Sequence, residues 1–158
     1  MEPNFAAFQL IGQIALGIIG FSAILIGLSR TSEGFSSPDN FRVQLLTYSA
    51  FGAMFGSIIP FAIFSGENFE TAWLMCFWIM SIYSVIGLII FPRKMLHLRS
   101  LGHKDIFPIK LYLFQTGILS TIFVLSLLMI VNNFYESSQI YIICLMLFLV
   151  QSSVAFIR

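Results

Sequence analysis

Charge is what this chain lacks. Only 9% of its 158 residues are charged, and five long stretches contain no Asp, Glu, Lys, Arg or His at all. A water-soluble domain carries about 25% charged residues. With 58% of the chain hydrophobic, the deficit excludes a soluble globular protein. The uncharged stretches are Phe5–Leu28, Val43–Phe64, Ala72–Phe91, Leu111–Val131 and Ile140–Ile157. Each approaches the roughly 20 helical residues needed to cross a hydrocarbon core about 30 Å thick. The expectation is an all-α polytopic membrane helix bundle: one transmembrane domain of five helices, with no separate soluble module.

The same absence restricts function. Pumps, proton-coupled carriers, voltage sensors and Schiff-base photoreceptors hold ionisable groups inside the membrane, and none of the five runs has one. Nor do the runs hold a general acid, a general base or a charged metal ligand. His97 and His103 are the only histidines, and with Asp105 they match no common zinc spacing; a place beside lipid phosphates explains them. A Gly-rich phosphate loop, a nucleophile elbow and a Cys-x-x-Cys pair are all missing. Cys76 and Cys144 lie in separate apolar runs and read as small buried groups. The chain is therefore expected to be no enzyme, with no catalytic residues, no metal and no cofactor. One short basic connector gives too little for nucleic-acid binding.

What charge there is sits unevenly. All eight basic residues fall in two connectors and the C-terminus: Arg30 and Arg42; Arg93, Lys94, Arg99, Lys104 and Lys110; and Arg158. The remaining flanks hold Glu2, Glu67, Glu70 and Glu136 and no basic residue. Basic residues accumulate in short cytoplasmic connectors. Five spans then put the N-terminus outside and the C-terminus in the cytoplasm. Glu2 before the first run, with no basic residue there, argues against a cleavable signal peptide.

The connectors carry turn chemistry. Ser37 is placed to cap the second helix, with Pro38 and Asp39 in its first turn. Gly66 and Asn68 are placed to end the second helix and cap the third. Trp73 stands where an interfacial anchor belongs. In Pro92–Lys110, the spacing of Met95, Leu98 and Leu101 against Arg93, Lys94, His97, Arg99 and Lys104 predicts a short basic amphipathic helix. It would lie on the inner leaflet or meet a protein partner there, with Gly102 ending it.

Within the runs, polar and small residues stand out. On the first helix, Gln9, Gln13, Gly17, Gly20 and Gly27 share one stripe. Such stripes favour helix association in lipid, because backbones approach closely and amides bond across. This helix is expected at the centre of a bundle, inside one subunit or between several. Gly52-x3-Gly56 and Ala53-x3-Ser57 give the second helix small-residue pairs, expected to pack on the first. Gln115, Thr116, Ser120 and Thr121 form a patch on helix four, and Gln151, Ser152 and Ser153 one on helix five. These amides either hydrogen-bond between helices or line a neutral polar path. The eighteen phenylalanines read as packing bulk and lipid-facing surface.

Gly20 to Leu28, the Ser37-Pro38-Asp39 segment with Arg42, and Ser57-Ile58-Ile59-Pro60 together resemble a group of small bacterial integral membrane proteins without assigned activity. The resemblance spans about Gln9 to Trp78. It implies a bacterial inner-membrane setting and carries over no site residue. The functional expectation is a homo-oligomer in the lipid bilayer forming a passive pore, with helix one near the axis. The alternative is a membrane subunit that docks a partner through Pro92–Lys110.

Overall fold

The computed structural model describes residues 3–28, 36–64, 69–132 and 137–157. Its elements are five helices: α1 (Phe5–Leu28), α2 (Ser37–Ile63), α3 (Phe69–Ser100), α4 (Ile109–Val131) and α5 (Ser137–Ile157). All are long and apolar enough to span a membrane. In hydrocarbon a helix satisfies every backbone group within its own segment, so charge-free sequence of this length becomes helix.

The helix ends follow local chemistry. Asn4 caps α1 by accepting the Ala7 N–H at 3.1 Å. Ser36, not Ser37, caps α2, because Ser36 is the hydroxyl three residues before Asp39. It accepts the Asp39 N–H at 3.3 Å and donates to the Asp39 carboxylate. The α2 helix runs through Pro60 to Ile63, and Phe64 closes it by donating its N–H to the Pro60 carbonyl. The Gly66 and Asn68 signals and the basic residues Arg30 and Arg158 lie outside the described residues, as do Glu2, Glu67 and Glu136.

The α3 helix departs from expectation. No separate surface helix follows Pro92; α3 continues unbroken to Ser100. Its 32 residues make a rod about 48 Å long, well beyond the thickness of the hydrocarbon core. The side chains expected to face lipid explain why. Met95 and Leu98 are buried against Phe41, Phe91 and Phe107, so the apolar face of this segment is covered by the protein itself. Gly102 then ends the helix with φ +101°, a conformation glycine adopts without a Cβ clash. The N–H of Gly102 bonds to Arg99 and that of His103 to Leu98, the paired bonds of a Schellman turn.

Successive helices run antiparallel. At one end Phe5 packs on Phe61 and Phe64, and Phe64 on Phe69 and Trp73. The start of α5 joins that end, where the Asn4 N–H donates to Ser138 Oγ at 3.1 Å. At the other end Phe41 meets Phe91 and Phe107. Neighbours in sequence are neighbours in space, and α2 also packs across the bundle on α5. Thus α2 and α5 form the middle, while α1 lies at the edge against α2 with a smaller contact on α5.

Two further expectations change. Trp73 is only 1% exposed and sits among Phe64, Phe77 and Tyr141, inside the bundle instead of at its boundary. Gly52 and Gly56 face α3 and α5: an added Cβ would meet Tyr83 and Phe148 at Gly52, and Leu145 at Gly56. The other pair, Ala53 and Ser57, does pack on α1 as expected: Ala53 clusters with Phe8, Ile11 and Ala15, and a Cβ at Gly12 would stand 2.6 Å from Ser57 Oγ.

Candidate functional site

The outer face of α1 is the first candidate. Phe8, Ile11, Ala15 and Ser22 are buried, at the spacing of one helical face. Gln9, Gln13, Gly17, Gly20 and Gly27 occupy the opposite face and are all exposed. A Cβ added at Gly17, Gly20 or Gly27 would touch nothing. The stripe predicted from sequence thus lies on the side of α1 turned away from the bundle core, with exposed Leu10, Leu16 and Ile24 beside it and with Gln9 and Gln13 bordering α2. Beside it runs a groove of about 430 Å³ between α1 and α2, lined by Gln9, Gly12, Gln13 and Leu16 on one side and by Ser57 and Phe61 on the other.

The basic end of the bundle is the second. Arg42, Arg93, Lys94, Arg99, Lys104 and Lys110 cluster around the start of α2, the end of α3 and the start of α4. Some of this charge is used internally. Lys94 Nζ donates to Gln44 Oε1 at 2.8 Å, and Arg99 donates to the Phe107 carbonyl. Arg42 lies over the Phe107 ring at 5.8 Å and pairs with Asp39 at 3.6 Å. Arg93, His97 and Lys104 remain exposed. Among the described residues no three His, Cys, Asp or Glu side chains come together in a way that could hold a metal ion.

The interior polar groups divide into satisfied and unsatisfied. Ser57, Ser84, Ser126 and Ser152 donate to carbonyls three or four residues earlier on their own helices, the usual resolution for serine inside a helix. Tyr141 donates to the Gly56 carbonyl at 2.8 Å, pinning α5 to α2. Tyr48 and Tyr83 stack with centroids 4.3 Å apart, and each donates its hydroxyl to the other's carbonyl. Sequence reading missed this reciprocal clamp between α2 and α3. Two tyrosines 35 residues apart give no local signal, although their position mid-run called for hydroxyl partners.

Gln115 and Gln151 behave differently. They come from separate polar patches and converge, with Thr116, on a small cavity bounded by Phe91, Pro92, Met95 and Leu119. Gln151 is fully buried, and neither of its amide atoms has a hydrogen-bond partner among the described residues. Ser120 is half-buried, while Thr121 and Ser153 are exposed and bond to their own helices. Comparison of this chain with protein-family models, with curated proteins and with solved structures finds no match.

Proposed function

We propose that this multi-pass membrane protein is a non-enzymatic protein of the bacterial inner membrane that assembles with copies of itself along the outer face of α1, enclosing a passive pore. The observation carrying this reading is the exposure of Gln9 and Gln13, with Gly17, Gly20 and Gly27, on a face otherwise made of apolar residues such as Leu10, Leu16 and Ile24. An amide facing hydrocarbon without a partner costs about 4–8 kcal/mol on a water-to-cyclohexane scale. A second copy presenting the same stripe relieves that cost by amide-to-amide hydrogen bonds, and the glycines let the two backbones close up. The groove beside the stripe offers a seat for side chains of the neighbouring copy. With α1 at the axis, the pore wall carries no charge, suited to passage without coupling.

The orientation in this reading puts the basic end in the cytoplasm, by the preference of Lys and Arg for that side. Reconstituted protein should conduct, and Gln13→Leu with Gly20→Leu should abolish the flux; unchanged flux in that double variant rejects α1 as the axis.

A second reading draws support from the α3 overhang. Its exposed Arg93 and His97, with Lys104 in the turn that follows, form a basic platform for anionic lipid headgroups or for a protein partner of a larger complex. Co-purification of a partner that survives replacing Arg93, Lys94, Arg99 and Lys104 by Ser would count against docking there.

A further inference from the structure

The cavity at Gln115 and Gln151 is separate from the α1 face and has its own chemistry. Three observations coincide there. Gln151 presents both a donor and an acceptor to the interior, and neither is paired among the described residues. Gln115, 7% exposed, and Thr116 line the same space from α4. On α3 the wall is Pro92, which has no N–H to offer the carbonyl one turn earlier, at Leu88.

Size and charge select the occupant. The cavity volume is about 10 Å³, close to the least that holds one water molecule and too small for an acyl chain or a metabolite. Its lining contains no carboxylate, so a bare cation would bring an uncompensated charge into the bundle. A water molecule needs two to four polar partners. The amide of Gln151 supplies one donor and one acceptor, and Gln115 and Thr116 supply more.

We propose that this cavity is a binding site for one ordered water molecule, which bridges the Gln151 amide of α5 to Gln115 and Thr116 of α4 beside the Pro92 interruption of α3. The water joins α4 to α5 against the apolar wall that α3 supplies through Phe91, Pro92 and Met95. Because the site lies within one protomer, it stands or falls independently of the assembly proposed above.

Two measurements on the full-length protein in lipid test it. Solid-state NMR with magnetisation transferred from water to ¹⁵N-labelled glutamine side chains should light up Gln151, with exposed Gln44 as the positive control. The Gln151 resonance is assigned by its loss in Gln151→Leu, or in Gln151→Asn should the leucine variant not fold. A signal from Gln44 and none from Gln151 overturns the proposal.

Thermal unfolding supplies the second measurement, through the sign of its shift. With a shared water, Gln151→Leu leaves the partners of that water under-bonded, so the midpoint falls by a few degrees. Gln115→Leu does the same, and the double variant falls by less than the sum, since the water is lost only once. A dry, unpartnered amide gives the opposite sign, because leucine then removes a buried polar group for which nothing compensates. A raised midpoint in Gln151→Leu, or strictly additive losses, overturns the proposal.

Discussion

Glycine plays opposite parts at two positions on α1, one helix face apart. At Gly12 an added Cβ would stand 2.6 Å from Ser57 Oγ, which is held by its bond to the Met54 carbonyl and would have to give way. Gly12→Leu is therefore expected to destabilise the protomer by about 1–3 kcal/mol, the usual cost of overpacking, read as loss of folded protein during denaturant titration in detergent micelles. At Gly20 there is open space, so Gly20→Leu should leave protomer stability within about 0.5 kcal/mol of the parent while removing higher-order species. If both variants lose stability equally, Gly20 is part of the internal packing and the outward stripe is wrong. Tyr141 offers a third test: Tyr141→Phe deletes the bond to the Gly56 carbonyl at nearly constant shape. The expected loss is about 0.6 kcal/mol, with roughly 1.7 as an upper bound.

At the scale of elements, α3 is the helix whose reading changed most. Its segment after Pro92 has the alternation of charge and apolar residues that an interfacial helix also has. What separates the two is the cover over Met95. On a membrane-surface helix Met95 would rest in lipid, and truncation would cost little. At 2% exposure against Phe41, Phe91 and Phe107, Met95→Ala should cost about 2–5 kcal/mol. Leu101, 60% exposed just beyond the helix, should tolerate alanine within about 0.5 kcal/mol. Helix α1 shows the converse case, where the face expected from sequence to associate is a face the protomer leaves uncovered. Periodicity located the stripe correctly and was silent on which way it points.

For the whole molecule, charge separation along the bundle and assembly across it are independent properties. Single cysteines at Glu70 and Lys104, at opposite ends of α3 and its following turn, should label from opposite sides of sealed vesicles, Lys104→Cys from the cytoplasmic side. Native Cys76 and Cys144 are buried and should stay silent. Labelling of both engineered sites from one side would contradict the five-span path, and reversal of the two would invert the proposed orientation. Native mass spectrometry from lipid nanodiscs addresses assembly: a defined ring of three or more copies is expected, and a monomer would remove the pore.

How much of this was legible in the residues depends on which physical rule did the work. The bilayer forbids unpaired backbone, so a long run without charge must become a helix. The number of helices, the apolar centre of each and the gathering of basic side chains at one end therefore follow from sequence alone; the end of α3 at Ser100 does not. Which face of each helix turns inward does not. In water, polarity marks the outside; in lipid both faces are apolar, and burial no longer sorts side chains by hydrophobicity. Only the tertiary structure decided that Trp73 lies among rings, that Gly52 and Gly56 serve α3 and α5, that Gln9 and Gln13 look outward, and that Gln115 and Gln151 meet. Shape complementarity between helices settled those choices, and it is a property of pairs of helices that no single run of sequence contains.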